Sequence, residues 1–583
     1  MGTTKFLLII SLLSTMAFTT PIEESNSTTP ITFEAETKTS LKNIFSKKNS
    51  KFLKKITHKK FLKNFYRKNN YKSLWLNKEG IDKNKYTQLI SNIENDLTLD
   101  SQGFIAQHNQ QIQQEVDGNL TKEDLYKIEV SLSSLYYDFL EHSLYGEIEW
   151  KNFSRKLRSL KRQKIDGAWL KQKAPYKISS LLTEDDINQT LTDIRPKNFG
   201  YENLHKSLKK LYKMKVDGGW KELGYFKRLE LGSTGDMVVQ LRERLSFSGD
   251  YKECNSTSTK TEKTTDIAKI IVSSDTNQSK EPKIDKKAIF GECLNIAVKK
   301  FQKRHGLVVD GIVGGGTRKV LNITVDEKIK TVLLNIDRIK WLPRTTEERY
   351  LVVNIPEFML YYIEDKQVKK SLRVIVGDKR HPTPIFNEKI SFIVLNPYWK
   401  VPEGIVKREI VPHMIKNPNY LRRQGLQAHR TWNERSPVIN VSNLYWEDYL
   451  TGGQKFPYRL MQPPGPRNAL GKIKFKFPNR FAVYLHDTPT RYLFKRTVRA
   501  FSHGCVRLSN PEQLLATMST FNKDINLTKA TKILKGKRKV QLNIKNKLPI
   551  HLVYLTAGMS SDDELEFRND IYRYDKFMKR VIR

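Results

Sequence analysis

Ser502-His503-Gly504-Cys505-Val506-Arg507-Leu508, with His486-Asp487-Thr488 upstream of it, is the stretch on which the reading of this chain turns. A cysteine attacks as thiolate rather than thiol, so a catalytic one needs a base or an electropositive setting beside it. Two histidines are candidates: His503 inside the stretch, and His486, separated from Ser502 by fifteen residues. Gly504 lets the backbone turn sharply and aim amide N–H groups at a developing oxyanion, as acyl transfer requires. The combination reads as acyl transfer through a thioester on Cys505. A cysteine standing alone would read as a small buried hydrophobe. The histidines, serine and glycine in register around this one set that reading aside.

The same stretch resembles the signature of the L,D-transpeptidase catalytic domain, which remodels bacterial peptidoglycan. Its flanks carry the resemblance further. Val374-Ile375-Val376-Gly377 with Thr383-Pro384, Asn396-Pro397-Tyr398-Trp399-Lys400-Val401-Pro402, Pro464-Gly465-Pro466-Arg467-Asn468-Ala469-Leu470-Gly471 and Phe477-Pro478-Asn479 follow the order seen in the large Gram-negative members. The resemblance implies that His486 takes the thiol proton and is oriented by a neighbouring backbone carbonyl, that of Asp487. An unperturbed histidine, with a pKa near about 6.5, already suits a base. His503 is expected to shape the oxyanion site or orient substrate, and Gly504 and Cys505 to donate N–H groups to the tetrahedral intermediate. Ser502, Tyr398 and Trp399 are expected along the substrate groove. Arg507 reads equally as a bidentate holder of a substrate carboxylate and as a structural salt bridge. His381 and His413 read as structural.

By the same resemblance, Cys505 attacks the third residue of a tetrapeptide stem and expels D-alanine. The amine of a second stem then resolves the acyl-enzyme into a 3-3 cross-link. Water as acceptor would make an L,D-carboxypeptidase, and a lipoprotein lysine an anchoring enzyme. A noncatalytic peptidoglycan-binding scaffold is the alternative of a different class, and the intact motif speaks against it. Neither metal nor cofactor is expected, because the histidines are scattered, no paired-cysteine or His-Glu-x-x-His spacing occurs, and thiolate chemistry needs none.

The chain has 583 residues, more than one core serves, so several domains are expected. Lys5 followed by apolar Phe6 to Leu13 and small Thr15-Met16-Ala17 reads as an export signal over 1–17. No later apolar run reaches the roughly 18 to 20 residues of a membrane span. The expectation is a periplasmic protein without a stable span in its mature chain, an uncleaved amino-terminal anchor being the alternative. The net charge of +41 would otherwise suggest nucleic acid, which export excludes; peptidoglycan stems and cell-wall synthesis proteins are the expected partners. Of three cysteines, Cys254 and Cys293 flank one insertion; their pairing would leave Cys505 free, and two unpaired buried cysteines are the equal alternative.

The fold class expected is multidomain α+β: a helical scaffold and a three-helix peptidoglycan-binding domain joined to a β-rich catalytic domain. A Thr/Ser/Glu/Lys-rich tether is expected over 18–50. The scaffold follows over 51–218, where Leu125, Ile128, Leu132, Leu135 and Phe139, and later Tyr201, Leu204, Leu208 and Leu211, recur at helical spacing. Residues 223–322, with Gly235-Asp236, Val298-Lys299-Lys300-Phe301-Gln302 and Asp310-Gly311, resemble the binding domain, interrupted by the polar insertion 251–287. A helical connector over 323–347 leads into the catalytic domain, 348–525. There Tyr350–Ile355, Leu372–Val376 and Ile390–Leu395 are β-branched runs. A lid over 403–461 interrupts the sheet, and 526–583 is a C-terminal extension holding one further strand.

Overall fold

The computed structural model describes residues 32–46, 49–163, 165–254, 285–450, 453–560 and 562–579. The expected export signal, the first part of the tether and most of the insertion lie outside the described residues. The chain divides into two compact units, one of Met1–Thr87 with Gln110–Leu135, the other of Gln88–Asn109 with Tyr136–Arg583.

In the first unit, the expected tether is corrected by a helix at Phe33–Ile44, begun by Thr32, whose hydroxyl accepts the Ala35 N–H. Thr37, Leu41 and Ile44 recur at three and four residues and are buried, a stripe that polar average composition conceals. Tyr66 and Trp75 meet on Glu129 and Ser133 of the long helix Lys122–Tyr145. Tyr66 Oη donates to Glu129 at 2.7 Å and Trp75 Nε1 to Ser133 at 3.0 Å, while the Leu74 and Trp75 N–H groups close on the same carboxylate. Burial pushes Glu129 up, and these donors hold it.

In the second unit, helices Tyr201–Val216 and Val325–Lys340 share one apolar core, Leu204, Leu208 and Leu211 facing Ile329, Val332 and Ile336. The helix expected as a connector is thus a central element of this unit. Three helices, Asp236–Phe247, Glu292–Arg304 and Gly315–Leu321, enclose a separate core of Val238, Leu241, Leu245, Val298 and Phe301. A disulfide joins Cys254 to Cys293, with Cα atoms 5.7 Å apart, and Cys505 is free.

Among the described residues the region expected to be catalytic carries a nine-stranded sheet. Its strands, with three of the lid, are β1 Arg349–Asn354, β2 Met359–Glu364, β3 Gln367–Gly377, β4 Phe386–Leu395, β5 Trp399–Lys400, β6 Gln427–His429, β7 Arg459–Gln462, β8 Ile473–Lys476, β9 Leu485–His486, β10 Ala500–Ser502, β11 Val506–Leu508 and β12 Val540–Val553. The large sheet runs β10-β3-β11-β9-β8-β4-β12-β1-β2, and pairing of β2 with β3 closes it on itself. Its interior holds Leu351, Val353, Val374, Val376, Ile393, Phe475, Leu485 and Val506. β12 lies between β4 and β1, so the sheet requires residues beyond 525; the expected C-terminal extension contributes an interior strand.

The lid builds its own small domain. β5, β7 and β6 form a three-stranded sheet, and Val406, Ile410, Met414, Leu421, Trp446 and Phe456 form a core separate from that of the large sheet.

Candidate active site

Two adjacent strands position the central residues. Parallel pairing of β9 with β11 sets Leu485 opposite Val506 and His486 opposite Arg507, which leaves Cys505 at the mouth of β11. The strands alternate inward and outward, so Val506 and Leu508 enter the core while Cys505 and Arg507 reach a cavity of about 460 Å³. Its wall includes His381, Trp399, Arg408, Tyr484, His486 and His503.

The Cys505 loop is braced from behind. Gly504 has φ +105°, a conformation that side chains disfavour, and its carbonyl accepts the Thr383 hydroxyl at 2.9 Å. The same hydroxyl oxygen accepts the Gly377 N–H at 2.8 Å, and Tyr572 donates to the Gly377 carbonyl at 2.6 Å. Gly377 and Thr383 of the quoted motif therefore fix the Cys505 loop. Ser502, expected along the substrate groove, stands on the cavity wall and is largely buried; its hydroxyl donates to the Cys505 carbonyl and accepts the Gly504 N–H at 3.2 Å. That second bond also commits the Gly504 N–H, expected to face an oxyanion, to the loop itself.

Cys505 is half-buried, its thiol turned toward the Ala482 carbonyl at 3.9 Å. Burial pushes the thiol up, opposed by the Tyr484 backbone N–H, by Lys474, and by the Tyr484 phenol. The Lys474 ammonium lies 3.7 Å from the centre of the Tyr484 ring, and burial lowers its pKa to about 8.

His486 is buried, and its Nδ1 bonds the Asp487 carbonyl, which assigns the proton to Nδ1 and the lone pair to Nε2. Burial first, then Arg507, lowers its pKa to about 3. The expectation of an unperturbed histidine is corrected: this imidazole is neutral because water is excluded around it and a guanidinium lies on the neighbouring strand. The Asp487 carboxylate accepts from the Lys472 N–H at 2.8 Å, the Thr488 N–H at 2.7 Å and Arg491 at 2.6 Å. Gly471 passes so close to it that a Cβ there would lie 2.3 Å from the carboxylate, and its φ is +58°. The Ala469-Leu470-Gly471 motif thus accommodates the residue that carries the orienting carbonyl.

His503 pairs with Glu409 of the lid and packs against His381 with the rings tilted by 42° and their centres 4.6 Å apart. His381, read as structural, bonds Asp378 at 3.2 Å and stands on the cavity wall. Arg507 reaches Thr490 at 3.2 Å through Nη1, and burial lowers its pKa. Trp399 lines the cavity, but its neighbour Tyr398 does not, since successive residues of an extended segment face opposite ways. Tyr484 and Lys474 escaped the sequence reading. The signal for Tyr484 was its position two residues before His486, on the same face of one extended segment. Among the described residues no group of three or more His, Cys, Asp or Glu side chains is placed to hold a metal ion, and no helix is long and apolar enough to cross a membrane.

Comparison with known proteins agrees with this architecture. Residues 60–208 match the scaffold domain family and residues 277–321 the family described as "Putative peptidoglycan binding domain". A Haemophilus influenzae protein named "Putative L,D-transpeptidase" is 33% identical over 262 residues, covering 45% of this chain and about half, 50%, of that protein's length. Solved L,D-transpeptidase structures from Xylanimonas cellulosilytica (15% identity, 57% of this chain and 100% of that one) and Mycobacterium smegmatis (13%, 35% and 58%) both superpose with TM-scores of 0.17, too low to carry weight. Residues 348–533, which hold both strands of the site, match the YkuD family, described as the L,D-transpeptidase catalytic domain.

Proposed function

We propose that the chain is an exported, periplasmic peptidoglycan L,D-transpeptidase that makes 3-3 cross-links through a Cys505 thioester. The observation that carries this reading is a free, half-buried thiol in one cavity with a neutral imidazole whose tautomer leaves Nε2 to accept a proton. A thiol pushed up and an imidazole pushed down do not exchange a proton at rest. Transfer to His486 accompanies attack, and this base help is typically worth about 100- to 10,000-fold.

Cys505 Sγ bonds the carbonyl carbon of the third stem residue as its proton passes to His486. The tetrahedral oxyanion then faces the Cys505 N–H, which has no hydrogen-bond partner among the described residues. Collapse breaks the C–N bond, and the proton on His486 goes to the departing D-alanine amine. The amine of a second stem attacks the thioester, yields its proton to His486, and restores the thiol. Arg507, and Trp399 on the cavity wall, bind the donor stem, and His503 orients it. The peptidoglycan-binding helices hold the enzyme on the wall, where cell-wall synthesis proteins are its neighbours.

Mass spectrometry of muropeptides after incubation with the purified protein tests this. Wild type is expected to convert tetrapeptide stems to 3-3 dimers, and Cys505→Ala to give none while keeping fold and sacculus binding. Tripeptides alone would make the enzyme a carboxypeptidase, and dimers from Cys505→Ala would remove Cys505 from the reaction.

A further inference from the structure

The lid reaches the Cys505 loop through the Glu409 side chain. Residues 403–416 run as helix Glu403–Ile405, a π-helical turn Val406–Ile410, and helix Val411–Lys416. Pro412 has no N–H to give a carbonyl one turn earlier, which favours the widened turn just before it. That turn buries Val406 and Ile410 in the lid core and carries Glu409 to the His503 ring, where Oε1 meets Nε2. His503 is two residues from Cys505 and its ring also packs, tilted by 42°, against that of His381, itself held by Asp378. Thus Asp378, His381, His503 and Glu409 form a chain of contacts in which His381 and His503 stand on the cavity wall and Glu409 is the member from the lid.

We propose that Glu409 is a positioning residue that latches the lid to the nucleophile loop through His503, holding the lid closed over Cys505. Both partners are partly exposed, at 43% and 33% of their side-chain surface, so the latch is weak enough to open for a bulky substrate. The His503 contact, ahead of the opposing effect of burial, holds the Glu409 carboxyl below its ordinary range. The other groups that face it are His381, Arg408 and Arg507, with Tyr420 from the lid.

Two measurements on the full chain decide the matter. In His503→Gln, the titration midpoint of the Glu409 carboxyl, followed by carbon NMR, is expected to rise toward that of an ordinary glutamate. In Glu409→Gln, alkylation of Cys505 by iodoacetamide is expected to speed up about two- to fivefold, because the half-buried thiol is uncovered more often. A midpoint unchanged by His503→Gln, or alkylation in Glu409→Gln no faster than in wild type, overturns the latch. Iodoacetamide needs only the thiol, so this result is independent of whether Cys505 performs transpeptidation.

Discussion

At the scale of single residues, the site is an exercise in keeping one imidazole neutral and aimed. Asp487 does not touch the thiol; its carbonyl fixes the His486 proton, and its carboxylate is fixed in turn by Lys472, Thr488 and Arg491. Gly471→Ala is therefore expected to act at a distance. A Cβ 2.3 Å from the carboxylate must displace it, at a position that already has φ +58°. Strain of this kind costs on the order of 1 to 3 kcal/mol, read as a lower denaturant midpoint. Acylation by a β-lactam is expected to fall further than that loss of stability explains, since the His486 tautomer is disturbed. A variant with wild-type acylation would show that the Asp487 carboxylate has no part in aiming the base. Cys505, His486 and Trp399 were legible in sequence because motif chemistry and proximity along the chain coincide there. Tyr484 and His381 were not, because strand alternation and a contact between rings, invisible in one dimension, bring them to the cavity, and Lys474 was not, because pairing of β8 with β9 sets it opposite His486.

Among elements, legibility followed the regularity of the pattern. Leu204, Leu208 and Leu211 announced their helix by spacing, and the β-branched runs near 350, 374 and 393 announced β1, β3 and β4. β12 did not announce itself. Lys545, Lys547 and Pro549 interrupt it, and its register with β4 shifts between Asn543 and Leu548, where the interior alternation breaks. The helix at Phe33–Ile44 was hidden by the opposite effect, a few anchoring residues in a polar stretch. The lid, by contrast, was legible as an interruption of the sheet, and its separate core makes a test of its role feasible. Replacing residues 403–456 by a short Gly/Ser linker is expected to leave Cys505 reactive while shifting products from 3-3 dimers toward hydrolysed tripeptides. A cover that excludes water lets the acyl-enzyme wait for an amine. An unchanged dimer-to-tripeptide ratio would confine the lid to a structural part.

Across the whole molecule, burial of histidines ties stability to pH. His486 is lowered to about 3, His205 to about 4 and His551 to about 4, desolvation being the first cause for each. A histidine that titrates near 6.5 in the unfolded chain and lower in the folded one contributes stability that is complete above about pH 6.5 and lost as pH falls toward the folded value. At pH 5 each such group costs on the order of 2 kcal/mol. Asp570, raised to about 6 mainly by burial, acts in the other direction below that pH and returns about 1 kcal/mol by pH 5, so the histidines prevail. The main thermal transition is expected to fall steadily from pH 7 to pH 4. His551 isolates the cause, because it stands on β12 far along the sheet order from the nucleophile, and its Nδ1 meets Asn387 at 2.8 Å, a contact an amide can replace. His551→Gln is expected to give a shallower acid slope of Tm, with little change near pH 7 and with acylation of Cys505 retained. Equal slopes in variant and wild type would show that His551 takes up no proton on unfolding, and would shift the acid loss onto His486 and His205.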